Sequence, residues 1–290
     1  MAFVQCDIFS YELGMDTELT VLLPEKRQQK PIDRSGKKYK VLYLLHGHGD
    51  DHTAYIRKSL IELLVRDKNL VVVMPNCHRG MYTDGVYTHR YYSYVAEELP
   101  VVAANLFHGS PDPKDQYIAG FSMGGYGAAK IALRNPDRYA AVGVLSGGMD
   151  MEDHMTHGTG GHFTVPDMER NQFDIFGSPE QFHGSQEDLF ALLEQARKAG
   201  GFAPKFYHAC GTEDFLYSEN VRFRDALRGC GGVWDYTYEE GPGGHDWDFW
   251  NTYLPRMLRC FSLIDGHELG WMTGVAGKGQ EAANGIARGI

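Results

Sequence analysis

Gly120-Phe121-Ser122-Met123-Gly124 follows an apolar run, Tyr117-Ile118-Ala119, and opens a stretch of small residues that reaches Ala129. A serine between two glycines, at the junction of a buried strand and a helix, can serve as a nucleophile on a sharp turn. The glycines let strand and helix approach. The helix N-terminus then aims free N–H groups and its positive end at charge developing near Ser122. In a chain with 35 glycines the bare pattern is cheap. Its place between strand and helix carries the reading.

A serine nucleophile needs a base and an acid that orients the base. In a strand-turn-helix context these follow in the order Ser, acid, His. The apolar stretch Lys205–Gly211 runs into Thr212-Glu213-Asp214. Asp214 is the expected acid, because it lies one residue further into the loop than Glu213. The expected base is His245, in the glycine-rich loop Gly241-Pro242-Gly243-Gly244 that follows the last strand-like stretch. Asp246 and Asp248 are rival acids, but so near in sequence that neither easily presents its carboxylate to the ring.

Leu42-Tyr43-Leu44-Leu45-His46-Gly47-His48-Gly49-Asp50-Asp51-His52 supports two chemistries. In one, His46, His48 and His52 bind a metal, as in hydrolases that place H-x-H-x-D-H after a strand. The spacing here is one residue too long before the last histidine. A second cluster, His154, His157 and His162, falls in an irregular stretch expected to be exposed loop. In the other chemistry the turn works through its backbone. A tetrahedral intermediate needs two N–H donors. Met123, after the nucleophile, supplies one, and His48, or Gly47, supplies the other. No metal and no cofactor is expected on that reading.

The elements that must position these residues alternate. Residues 1–10 and 17–24 read as two opening strands, a candidate hairpin. Strands follow at 39–45, 70–76, 115–121, 140–147, 204–211 and 233–240. Helices are expected at 54–67, at 91–107 with a bend at Pro100, at 124–136, at 185–201 with Ser185 as N-cap, at 218–232 and at 246–264. This pattern predicts a mostly parallel sheet with helices on both faces. Residues 1–265 are expected to form one domain. Residues 150–185 are an insertion with short helices near the site, and 266–290 a Gly- and Ala-rich tail.

The 290 residues carry a net charge of −10, which disfavours nucleic acid and anionic membrane surfaces as partners. No run approaches the roughly 18 apolar residues of a membrane span. The five cysteines (6, 77, 210, 230 and 260) form no C-x-x-C and read as reduced thiols. Together with an N-terminus lacking a basic, then apolar leader, they point to a cytoplasmic protein. Tyr82, Tyr87, Tyr91 and Tyr92, with Arg79 and Arg90, either line a cleft for a phenolic or sugar group or form a packed aromatic loop. Cys77, in the same loop, reads as a buried structural thiol. Candidate substrate contacts are Gly47, Tyr82, Tyr87 and Trp247.

LYLLHGHGDDHTAYIR, YYSYVAEELP, AGFSMGGYGAAKIAL, GTEDFLY and GGHDWDFWN resemble the tributyrin esterase family. That family lies within the esterase D set, beside feruloyl and acetyl xylan esterases and S-formylglutathione hydrolases. The resemblance spans residues 3–263. It implies an α/β-hydrolase fold, Ser122 as nucleophile, Asp214 as acid, His245 as base, and His48 and Met123 as N–H donors. It also implies short-chain carboxylic esters, from acetyl to butyryl, as small-molecule substrates, with no cofactor and frequent homo-oligomers. An S-formylglutathione hydrolase, another thioesterase or an acyltransferase with the same triad remains open. So do the metal-dependent hydrolase and a non-catalytic binding relative. The long, His-rich stretch 150–185 departs from the family pattern and leaves the identity of the ester open.

Overall fold

The computed structural model describes residues 1–25, 36–158, 167–200, 204–230 and 235–265. Among these, eight strands form one sheet in the order β1-β2-β4-β3-β5-β6-β7-β8. β1 (Ala2–Ser10) and β2 (Met15–Leu23) make an antiparallel hairpin, and β2 joins β4 (Leu70–Pro75), also antiparallel. β3 (Lys40–Leu45), β4, β5 (Gln116–Phe121), β6 (Ala141–Leu145), β7 (Lys205–Gly211) and β8 (Tyr236–Gly241) run parallel.

The strand sequences dictate two cores. Val41, Tyr43 and Leu45 of β3 enter one, and Leu42 and Leu44 enter the other, because successive side chains point to opposite faces. The first core packs under α4 (Leu99–Leu106), α5 (Met123–Arg134), α9 (Leu189–Lys198) and α10 (Tyr217–Gly229). The second packs under α1 (Ala54–Lys58), α2 (Ile61–Val65) and α11 (Trp247–Cys260). Continuous apolar runs such as Leu70–Pro75 are therefore buried throughout, as expected of parallel strands covered on both sides.

Three helix expectations need correction. The helix read over 54–67 is two helices, α1 and α2. Ser59 N–H and Oγ both donate to the Tyr55 carbonyl, and Ile61 N–H donates to Ser59 Oγ instead of to a helical carbonyl, which ends the ladder. The helix over 91–107 comprises α3 (Tyr91–Ser93), a π-helical turn at Tyr94–Glu98, and α4. Its irregularity therefore precedes Pro100. Pro100 has no N–H to give, and the Ala96 carbonyl is taken instead by the Arg138 guanidinium. The N-cap of α9 is Asp188, not Ser185: Asp188 Oδ1 accepts from the N–H groups of Phe190 and Ala191.

Stretch 150–185 contains α6 (Met151–His157), α7 (Met168–Phe176) and α8 (Pro179–Phe182). Residues 159–166 and the Gly/Ala-rich stretch 266–290 lie outside the described residues.

Candidate active site

Ser122, Asp214 and His245 stand just beyond the carboxyl ends of β5, β7 and β8, and His48 just beyond β3. In an open parallel sheet this is the edge where ligands bind. Ser122 has φ 54° and ψ −123°, a region that L-residues rarely adopt. The turn is held by Ser122 N–H donating to the Leu145 carbonyl at 3.0 Å, and by Tyr126 N–H donating back to the Ser122 carbonyl at 3.1 Å. The flanking glycines are required by contact. A Cβ on Gly120 would come within 2.3 Å of the Gly124 backbone, and one on Gly124 within 2.0 Å of the Leu45 carbonyl oxygen. Gly124 thus lets the N-terminus of α5 press against the end of β3, where the His46–Asp50 turn begins.

Ser122 Oγ lies 2.8 Å from His245 Nε2. Nδ1 of the same ring lies 3.1 and 3.0 Å from the two carboxylate oxygens of Asp214. Asp214's side chain is fully buried and also accepts from Leu216 N–H at 2.8 Å. The carboxylate is fixed from two sides, and it fixes the ring. Phe215 and Trp250 pack on His245, with ring centroids 4.7 and 5.1 Å away. Glu213 does not reach the imidazole. Its carboxylate accepts from Gly243 N–H, and its own N–H donates to the Gly243 carbonyl at 3.1 Å, which ties the two loops together. Asp246 caps α11, accepting from Phe249 N–H at 2.9 Å, which occupies the rival acid.

His46, His48 and His52 do not converge. His46 is buried; its Nδ1 donates to the Gly47 carbonyl at 2.8 Å and its Nε2 accepts from Cys77 N–H at 2.9 Å. His52 Nδ1 pairs with Thr20 Oγ1 at 2.8 Å, and His48 Nε2 faces Arg79 Nε at 3.4 Å. Burial pushes both His46 and His48 down to about 4, so these imidazoles are neutral at pH 7. Each ring has its own partner, which removes the geometric basis for a shared metal. Among the described residues, the group of His, Cys, Asp and Glu side chains close enough to share a cation is Glu152, His183 and Asp188, none of which lines the pocket below. Asp50 N–H donates to the Gly47 carbonyl at 3.2 Å, so His48 and Gly49 (φ 81°) form the middle of a tight turn beside Ser122.

Several expected contacts lie elsewhere. Tyr82 is fully buried under the turn, where its hydroxyl donates to the His46 carbonyl at 2.9 Å. It cannot touch a substrate; it supports the residue that precedes Gly47. Tyr87 is exposed and stacks on Phe173 away from the pocket lining. Trp247 packs against Phe121, Tyr55 and Trp250 rather than lining the pocket. Gly47 is a packing glycine, since a Cβ there would meet the Phe121 ring at 2.4 Å. Tyr91 and Tyr92 are buried, so this loop is the packed aromatic alternative. Cys77 is buried, and burial pushes its thiol pKa up.

The pocket over Ser122 is small, about 50 Å³. His48, Met123 and His245 line it, with Met81, Met151, Met168, Asn171, Gln172, Phe215 and Leu216. His154 lines it too, which corrects its reading as exposed loop. It is buried in α6, with Nε2 2.7 Å from Glu219 Oε2, while Glu219 Oε1 accepts from Met149 N–H at 2.7 Å. Burial opposes protonation of His154, but the hydrogen bond and charge of Glu219 outweigh it and raise the pKa. The methionines and His154 were missed because the stretch that carries most of them has no clear period. The one available signal was its density of methionine and histidine after β6.

Residues 10–261 match the model of the Esterase family, described as "Putative esterase". An acetyl esterase of Caldicellulosiruptor saccharolyticus is 30% identical over 276 residues, covering 91% of this chain and 99% of that protein. Among solved structures, the substrate-bound fluorophosphonate-binding serine hydrolase FphF of Staphylococcus aureus is similar, with TM-score 0.79 and 33% identity over 90% of this chain and 98% of its own. The S-formylglutathione hydrolase FrmB of Staphylococcus aureus has TM-score 0.78 and 32% identity, with the same coverage.

Proposed function

Because the chain belongs to the Esterase family and is a serine carboxylic ester hydrolase of the α/β-hydrolase fold, we propose that Ser122, His245 and Asp214 carry out its reaction as nucleophile, base and orienting acid. The observation that carries this reading is the unbroken chain from Ser122 Oγ to His245 Nε2 at 2.8 Å and from His245 Nδ1 to Asp214 at 3.0 Å. Ser122 Oγ attacks the ester carbonyl while His245 takes its proton. The negative oxygen of the tetrahedral intermediate accepts from Met123 and His48 N–H. The intermediate collapses as His245 returns the proton to the departing alcohol, leaving an acyl-Ser122. Water, deprotonated by the same imidazole, releases the acid and restores the serine.

The substrate is a small-molecule ester with a short acyl group, acetyl to butyryl. At ~10–15 Å³ of such space per water, the pocket holds roughly four waters' worth of substrate. Four Met, one Phe and one Leu are among its thirteen lining residues, which suits an alkyl group. The acetyl esterase relative supports this choice. The likeness to S-formylglutathione hydrolase favours a second reading, since formyl is the smallest acyl group of all. The residues 1–265 act as one catalytic domain without a cofactor. The five free cysteines support a cytoplasmic setting, and no helix among the described residues is long and apolar enough to cross a membrane.

A panel of p-nitrophenyl esters from acetyl to decanoyl, with acetylated xylan, methyl ferulate and S-formylglutathione, tests the assignment. The expected kcat/KM peaks between acetyl and butyryl. A steady climb to decanoyl overturns the short-acyl reading, and a peak on S-formylglutathione replaces it with the second.

A further inference from the structure

We propose that β1 is the contact strand of a homodimer, in which two copies of Ala2–Ser10 pair antiparallel about a twofold axis at Cys6 and join their sheets into one. Among the described residues β1 pairs only with β2 and forms the end of the sheet. Its far edge therefore presents a row of backbone groups able to template another strand. Asp7 is the one charged side chain on this edge, and the other protective features are missing. Its register with β2 runs without a bulge from Ala2 opposite Leu23 to Ser10 opposite Met15, and it contains no Lys, Arg or Pro. Phe3 and Phe9 are 47% and 56% exposed.

The occupant follows from the sequence of the strand, Phe3-Val4-Gln5-Cys6-Asp7-Ile8-Phe9, which reads nearly the same in both directions by residue type. With Cys6 opposite the partner's Cys6, Gln5 stands opposite the partner's Asp7. Val4 then faces the partner's Ile8, and Phe3 the partner's Phe9. Every pair off the axis occurs twice, as a twofold interface requires. The Phe pairs bury the exposed rings, the Val–Ile pairs continue the apolar face, and each Gln amide donates to an Asp carboxylate. Seven paired residues at ~3.4 Å each span about 20 Å.

A groove of about 470 Å³ lies along the same edge, lined by Ile8, Phe9, Tyr11, Val101, Val102 and Leu106. The pairing delivers the partner's Val4, opposite Ile8, to it. The hairpin is already anchored there: Ser10 Oγ donates to Glu98, and so does Tyr11 N–H at 2.8 Å. The strand is thus ordered before it meets its partner.

Light scattering after size exclusion at tens of micromolar should give twice the 32.6 kDa chain mass. Gln5→Asp sets two carboxylates against each other twice and should weaken the dimer at least about tenfold, in the direction known for like charges directly opposite. Adding Asp7→Lys to Gln5→Asp turns both contacts into ion pairs and should restore the dimer. Diamide oxidation should crosslink the wild type, because opposed Cα atoms at ~4.5–5.5 Å fall within disulfide reach. Cys6→Ser should abolish that crosslink. Ester hydrolysis by each variant reports that it is folded, since β1 contributes nothing to the pocket. A monomer at every concentration overturns the proposal, as does a dimer that Gln5→Asp leaves intact.

Discussion

Two turns stand side by side at the carboxyl ends of neighbouring parallel strands, and they use their residues in opposite ways. After β5, the turn at Ser122 spends its backbone on holding one side chain out. Ser122 is driven to φ 54°, and its N–H and carbonyl are hydrogen-bonded, so that Oγ meets His245. After β3, the turn at His46–Asp50 turns most of its side chains to support. His46 bridges the Gly47 carbonyl and Cys77 N–H, and Tyr82 braces the His46 carbonyl from below. What remains at the tip is backbone. On the proposed mechanism, the motif dense in chemically able side chains contributes backbone, and the turn with a single hydroxyl contributes the reacting side chain.

The sharpest way to break this contrast is at Ser122. Ser122→Ala should lower kcat by at least about 10³-fold, leaving the residual catalysis of oriented N–H donors. Circular dichroism must show the fold retained. A variant that keeps a tenth of the activity removes the side chain from the mechanism.

Asp214→Asn should cost on the order of 10³–10⁴-fold, because an amide favours the wrong tautomer of His245. Glu213→Gln should cost less than about tenfold. Glu213 meets the His245 loop at Gly243 N–H, and a glutamine oxygen still accepts there. Steady-state kinetics of the two variants decides, and the reverse ranking would exchange their roles.

At the other turn the effect should depend on the backbone. His48→Pro deletes an N–H and should cost on the order of 10²–10³-fold, the scale of one lost oxyanion donor. His48→Ala keeps the N–H and should cost about tenfold or less. Equal losses from both variants, each confirmed folded, would return the chemistry to the imidazole. Under the metal alternative, His46→Ala, His48→Ala and His52→Ala would each abolish activity, and chelation would do the same. Full activity after dialysis against EDTA and phenanthroline is the expected result.

The smallest effect is on acid stability. Burial holds His46, His48 and His208 near 4, below the ~6.5 of an unfolded histidine. A lowered pKa means that the neutral ring is the one the fold favours. That contribution is complete above about 6.5 and is lost as the pH falls towards 4. Between those values, unfolding binds close to three extra protons from solvent on these three rings. Denaturant titrations at several pH values should therefore show stability falling with acid, with a shallower slope in His46→Gln. An unchanged slope would mean that His46 is protonated in the folded state.

The two turns also mark how far the sequence could be read. The three residues that the structure brings together were legible as a set. Ser122 and Asp214 each follow a buried strand, His245 follows the more polar last strand, and glycines announce the loops that bring them together. His48 was placed beside Ser122 because backbone donors need only a turn at the right strand end. Tyr82, Tyr87 and Trp247 were misjudged, since an aromatic residue near a site has the same signature whether it faces a pocket or a core. Only packing tells them apart: Gly127 leaves room for Tyr82 beneath α5, and no local pattern records it. The pairing of His154 with Glu219 crosses 65 residues between two helices, so neither stretch could reveal it alone.

The most direct test of the reactive serine is labelling with a fluorophosphonate followed by peptide mass spectrometry. One phosphonyl group should appear per active site, on the peptide that contains Ser122, with activity lost in proportion. Phe121 and Met123 should flank the modified position in the fragment spectra, and Ser122→Ala should take up no label. A label on another serine that tracks the loss of activity, or full activity after Ser122 is labelled, would contradict the assignment.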